Sequence, residues 1–313
     1  VAWQNLIHAL PVFGILADLL GFRRIALLGG VVYGAGLWLA SHSETALGLY
    51  TNLGGVVGIG IGLSGMIVVM GAVGQVAPPE RRSTAFGVVT VAFSIGMFIM
   101  APLLQYLINL HGWSGALQVA GGLVLIISLL ALGLPGNSSK AEKSTDREAE
   151  SELTLLKTIN GAMNHHGYLL LNVGFFVCGF HVAFIGTHLP SFLQAEGISI
   201  STASWALAMI GLFNMFGSMI FGRMGDSLSK KNLLSLLYTL RAVVIAGFLA
   251  VPLNEITAIA FGAAIGFLWL ATVPLTSGIV AQVFGTRYLS TLWAIVFFSH
   301  QLGAFLGVWL GGR

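Results

Sequence analysis

"GILADLLGFRR", residues 14–24, breaks an apolar run with one carboxylate and two guanidiniums. The same pattern returns 208 residues later in "GRMGDSLSKK", residues 222–231, where Gly222 falls on Gly14, Asp226 on Asp18 and Lys231 on Arg23. Each copy closes one apolar stretch, makes a short turn and opens the next. A repeat of this kind marks a chain built from two related halves.

Composition says what surrounds the repeat. Charged residues are 8% of the chain and hydrophobic residues 56%, with a mean hydropathy of +0.91. Ordinary soluble domains carry roughly 25% charged residues, and charged side chains are what cover a soluble surface. The chain therefore reads as a polytopic, all-α membrane protein, with lipid as its main surroundings. The net charge of +3 does not point to nucleic acid, because the basic residues come in pairs whose positions make topological sense. The single cysteine, Cys178, excludes an intrachain disulfide and a cysteine metal cluster. No metal site and no cofactor are expected. Residues 1–17 lack a basic leading segment, and Gln4, Asn5 and His8 interrupt them, so they do not read as a signal peptide.

Spanning about 30 Å of hydrocarbon takes roughly 20 apolar residues. Such stretches lie at 1–16, 24–41, 47–77, 84–108, 113–134, 165–190, 202–222, 232–251, 256–282 and 289–311. The glycine-rich run 47–77 is long for one crossing and too short for two, so a break inside it is open. The connecting loops fall into two sets. One holds Arg23 and Arg24, Arg81 and Arg82, the central Lys140, Lys143, Arg147 and Lys157, then Arg223, Lys230 and Lys231, and Arg287. The alternate loops, "SHSET", "NLHGWSG", "SFLQAEGISIS" and "PLNEIT", contain no Lys or Arg. Segmentation by apolarity alone thus sorts these charges completely, and the positive-inside rule makes the basic loops cytoplasmic. The polar tract 135–164 reads as a cytoplasmic linker, in which "SELTLLK" is a candidate surface helix, between an N-terminal bundle, 1–134, and a C-terminal bundle, 165–313.

The repeated motif reads as a gate built from Gly14, Asp18, Arg23 and Arg24 in one copy and Gly222, Asp226, Lys230 and Lys231 in the other. Glycine lets two helices approach closely. The aspartate either takes up backbone donors at a neighbouring helix N-terminus or pairs with a basic residue. "GILADLLGFRR" resembles the loop signature of the major facilitator superfamily, G-x-L-x-D-x-x-G, and the second copy resembles its degenerate form. "PPERRSTAFG", "NLHGW", "CGFHVAFIGTHLPSFL" and "FGTRYLSTL" are similar to bacterial members of the monocarboxylate-transporter-like branch. The resemblance implies twelve helices in two pseudo-symmetric six-helix bundles, with a substrate cavity between them and alternating access. About ten of those helices are expected here, the second one clipped and the first and last absent. It also implies a multi-pass protein of the bacterial inner membrane.

Polar groups at mid-membrane are costly and are functional candidates by default. His181, Asn214, Arg241 and His300 fall near the middle of their stretches, as does His8; Gln301 neighbours His300, while Asn5 and His188 lie nearer the outer face. The resemblance implies that the stretches holding His181, Asn214 and His300 line the cavity. Histidine can carry a coupled proton or donate to a carboxylate. Arg241 either meets an anion or braces the bundle by bonding carbonyls. The aspartate–arginine pair that monocarboxylate carriers place in the eighth helix is replaced here by Asn214 and Ser218. No Asp or Glu lies inside the apolar stretches.

There is no P-loop, no H-E-x-x-H and no nucleophile elbow, so the chain is not expected to be an enzyme or an ATP-driven pump. The expected function is secondary transport of a small organic anion, a carboxylate, driven by proton symport or anion exchange. The expected partners are that substrate, protons and membrane lipid. The alternatives are an efflux carrier for apolar or drug-like compounds and a membrane sensor that binds without transporting.

Overall fold

The computed structural model describes residues 6–135 and 145–312, without the side chains of residues 97, 101, 102, 105, 127 and 145–153. Asn5 and residues 136–144 of the linker lie outside the described residues. The described elements are helices: α1 (Val12–Leu20), α2 (Phe22–Ser41), α3 (Ala46–Val76), α4 (82–111), α5 (113–130), α6 (Thr145–Met163), α7 (His166–Ala195), α8 (Ile200–Ser227), α9 (Lys230–Ala250), α10 (Glu255–Phe267), α11 (Thr272–Phe284) and α12 (Leu289–Gly311). Among the described residues nine helical segments are long and apolar enough to cross a membrane. The chain is an all-α, multi-pass integral membrane protein.

Local chemistry sets the joints. Ser199 and Ser229 accept hydrogen bonds from the backbone N–H of Thr202 and Asn232, capping α8 and α9, and Asn254 with Thr257 forms a capping box at α10. α4 and α5 are separated by a kink at Gly112, whose φ of 68° lies in the left-handed region. The long run at α3 does contain a break: a π-helical stretch, Tyr50–Val56, leads into Val57–Ser64, which ends at Gly65 before Met66–Val76 begins. The linker forms a longer helix, α6, than "SELTLLK" alone indicates. The stretch 256–282, read from sequence as one helix, is two: α10 and α11 are separated by the unwound residues 268–271.

By packing, the chain divides into two units. One comprises Val1–Val76, Leu104–Val177 and Val280–Leu302; the other comprises Ala77–Leu103, Cys178–Ile279 and Gly303–Arg313. Each draws on both halves of the sequence. The first is centred on Phe13, Ala17, Phe22, Ile25, Leu63, Val68 and Ala72 from α1–α3. The core of the second joins Ile185, Leu189 and Leu193 of α7 to Ala203, Ala206 and Ile210 of α8 and Ala258, Phe261 and Ile265 of α10. Small residues bring α8 and α10 together: a Cβ on Gly266 would lie 2.6 Å from the Ile210 Cα. Without a hydrophobic driving force between helices in lipid, such close van der Waals packing is what joins them.

Replacing Gly112 by Ala forces an L-residue into the left-handed region, at about 1–2 kcal/mol. Thermal unfolding in detergent should show a lower Tm for Gly112→Ala. Gly122→Ala, on open helical surface in α5, should leave Tm unchanged or slightly raised.

Candidate functional site

The two motif copies build similar clasps, with two hydrogen bonds in one and three in the other. Asp18, near the end of α1, accepts hydrogen bonds at Oδ2 from the Thr291 backbone N–H (2.7 Å) and the Thr291 hydroxyl (2.8 Å), in the first turn of α12. Asp226, near the end of α8, accepts from the Ser83 N–H at Oδ1 (2.8 Å) and from the Thr84 N–H at Oδ2 (3.0 Å), in the first turn of α4; the Thr84 hydroxyl donates to Oδ2 as well. The glycine four residues before each aspartate makes room. A Cβ on Gly14 would run into the Ser290 carbonyl oxygen, and one on Gly222 would lie 2.9 Å from the Ser83 carbonyl oxygen. The first N–H groups of a helix have no intrahelical acceptor. A carboxylate placed there satisfies them and meets the positive end of the helix dipole.

Of the two partners that sequence left open for the aspartates, the helix N-terminus is observed at both copies. The receiving Ser-Thr pairs, inside "PPERRSTAFG" and "FGTRYLSTL", repeat at an offset of 207, almost that of the aspartates. Lys230 interacts electrostatically with Asp226. Arg23 donates from Nε (3.1 Å) and Nη2 (3.0 Å) to the Leu134 carbonyl, and Arg24 and Lys231 are exposed.

A second polar centre holds the break between α10 and α11. Ending α10 frees carbonyls, and in lipid they need donors. Arg241 of α9, 1% exposed, donates from Nη2 to the carbonyls of Leu268 (2.6 Å) and Trp269 (2.7 Å), and from Nη1 to the Cys178 Sγ (3.3 Å). Its positive charge sits at the C-terminal, negative end of α10. Asn214 of α8 accepts the Leu270 N–H at Oδ1 (2.8 Å) and donates from Nδ2 to the Ser94 hydroxyl of α4 (2.7 Å). Ser218 donates to the same Oδ1 at 3.3 Å. Two mid-stretch candidates thus converge on four unwound residues. Pro274, in the first turn of α11, lacks an N–H where none is needed.

A third centre gathers His8, Gln301 and His300. The Gln301 amide donates to the His8 Nε2 at 3.3 Å. His300, 6% exposed near the middle of α12, lies 4.7 Å from the Phe175 ring centroid and is stacked at 5.9 Å on Phe297. Neither ring nitrogen has a hydrogen-bond partner among the described residues. A buried polar group without a partner costs about 1–3 kcal/mol, so its place in an aromatic wall calls for a further acceptor or donor. On α7, His188 bonds the Val308 carbonyl at 3.2 Å through Nε2, while the Nδ1 of His181 has no partner among the described residues.

Two outcomes follow. Asp18→Ala should speed backbone hydrogen exchange at Ser290-Thr291 about tenfold, the equivalent of ~1.4 kcal/mol, and leave Ser83-Thr84 unchanged; Asp226→Ala should do the reverse. Arg241→Met should lower stability by about 2–4 kcal/mol, since two freed carbonyls lose a charged donor. Arg241→Lys should recover only part of that, because an ammonium lacks the planar fork; both are read as Tm in detergent.

Residues 6–308 match the family model of the Major Facilitator Superfamily. Over 93% of its length the chain is 27% identical to monocarboxylate transporter 12 of Rattus norvegicus, and it spans 65% of that protein. It is 22% identical, over 94% of its length, to the uncharacterized MFS-type transporter YhjX of Escherichia coli (strain K12), spanning 72% of it. Among solved structures it is similar to the human organic anion transporter MFSD10 (TETRAN), with a TM-score of 0.72 at 18% identity over 99% of this chain and 75% of that one. It is also similar to FucP in the outward conformation, with a TM-score of 0.69 at 14% identity over 99% and 79%. With the clasp motif in two copies and a family match along nearly its whole length, the chain belongs to the Major Facilitator Superfamily.

Proposed function

We propose that the protein is a secondary active transporter of a small organic anion, a carboxylate, working by alternating access between bundles 1–134 and 165–313. The observation that carries this reading is His300: a buried histidine midway along α12, walled by Phe175 and Phe297, with neither ring nitrogen bonded to a described residue. Such a group supplies a hydrogen bond, and when protonated a charge, to an anion in an apolar setting. The similarity to monocarboxylate transporter 12 supports the choice of a carboxylate. Gln301 and His8, already bonded to each other, extend the polar wall beside it.

The aspartate clasps supply the moving part of this proposal. Asp18 and Asp226 hold helix ends while the basic-loop side is closed and release them when it opens. Each clasp joins a helix of one sequence half to a helix of the other, which supports their use as reporters of bundle movement. The basic loops are assigned to the cytoplasm and the protein to a bacterial inner membrane. Proton symport or anion exchange drives the cycle. Arg241 and Asn214 act as braces of the α10–α11 break, and substrate recognition is left to the histidines.

The test is uptake of radiolabelled acetate, lactate, pyruvate and benzoate into proteoliposomes carrying the full-length protein. Saturable uptake of at least one is expected, with His300→Gln raising its KM about tenfold, ~1.4 kcal/mol. No uptake of any of the four, with insertion confirmed, would refute the substrate class. Uptake with an unchanged KM in His300→Gln would remove His300 from the site.

A further inference from the structure

Trp293 lies seven residues before His300 on α12. Seven residues are almost two full helical turns, so both side chains share one face, about 10.5 Å apart along the axis. Trp293 is fully buried, at 0% exposed, and its indole Nε1–H has no hydrogen-bond partner among the described residues. The two residues share their walls. Phe175 lies 5.4 Å from the Trp293 ring and 4.7 Å from His300; Phe297 lies 6.2 Å and 5.9 Å from them. Phe175 and Phe297 therefore each contact both rings, and Phe175 is the nearer to each.

Buried indole N–H groups usually find a partner. A phenyl ring would pack here without leaving a donor unsatisfied. The rise of about 10.5 Å between the two residues along the helix axis exceeds the span of one carboxylate. The donor lies nearer the Leu289 end, the end that carries the exposed Arg287.

We propose that the Trp293 Nε1–H is a second carboxylate station, one step beyond His300 toward the Arg287 side, with the Phe175 ring as the partition between the two. This rests on the carboxylate reading given above. The substrate's carboxylate leaves His300, passes the Phe175 edge and accepts a hydrogen bond from the indole before release. A single neutral N–H suits that role. It offers an anion enough to draw it off the first station and, carrying no charge, does not trap it; passage needs sites that are favourable to enter and weak enough to leave.

The experiment measures half-saturation at each face of the membrane, in vesicles of both orientations, with whichever of acetate, lactate, pyruvate or benzoate the wild type takes up fastest. Trp293→Phe should raise the value at the Arg287 face about fivefold, as expected for one hydrogen bond to a charged group, and leave the opposite face within twofold. Trp293→His, which restores a ring N–H, should return it toward wild type. Phe175→Leu, which keeps the donor and thins the partition, should bring the two faces' values together. Wild-type values at both faces in Trp293→Phe, or an equal rise at both, would overturn the proposal, as would wild-type asymmetry in Phe175→Leu. Absence of uptake by the wild type itself would instead be failure of the carboxylate reading.

Discussion

In hydrocarbon, a backbone N–H or C=O released at a helix end has no water to bond, so something in the protein must meet it. Much of what is polar inside this chain answers that constraint. Asp18 and Asp226 meet the first N–H groups of α12 and α4. Arg241 and Asn214 meet the carbonyls and the N–H freed between α10 and α11. In a protein with 8% charged residues, two aspartates and the buried arginine are placed at helix ends.

The two solutions differ in how readily they can be undone. A clasp consists of one carboxylate on two or three donors in the first turn of a helix, a bond set worth about 0.5–2 kcal/mol as a cap. That is a small cost for a bond set to be made and remade. The α10–α11 brace is 1% exposed at Arg241, and a buried guanidinium that loses its partners is far more costly. Clasps are suited to opening during a cycle, whereas the brace is suited to holding a bend fixed. The nitrogens of His300 and Trp293, which have no hydrogen-bond partner among the described residues, fit neither class, and the proposal gives them to the substrate.

The membrane class, the spans and the repeat could be read from sequence because they depend on short-range or periodic signals: runs of apolar residues, alternate basic loops, and a glycine–aspartate pair at constant spacing. The partners of the aspartates could not. Thr291 lies 273 residues from Asp18, and a Ser-Thr dipeptide is too common to stand out unless its own repeat is sought. The break at 268–271 was hidden for a similar reason. "LWLA" contains neither Gly nor Pro, and only Pro274 just beyond hints at a new helix start. Arg241 was visible as a buried cation, but an anion ligand and a carbonyl brace look alike until the carbonyls are in place. Trp293 does not stand out in the sequence, because an indole counts as apolar on a hydropathy scale although one of its atoms is a donor.

The central claim is that the aspartate of each motif copy is energetically joined to the helix that starts in the other half of the sequence. Double-mutant cycles on unfolding free energy test it directly, pairing Asp18→Asn with Thr291→Val and Asp226→Asn with Thr84→Val. A coupling of about 0.5–3 kcal/mol is expected within each pair, and one near zero for the crossed pair of Asp18 with Thr84. Additive effects within both pairs, or a crossed coupling as large as the direct ones, would contradict it.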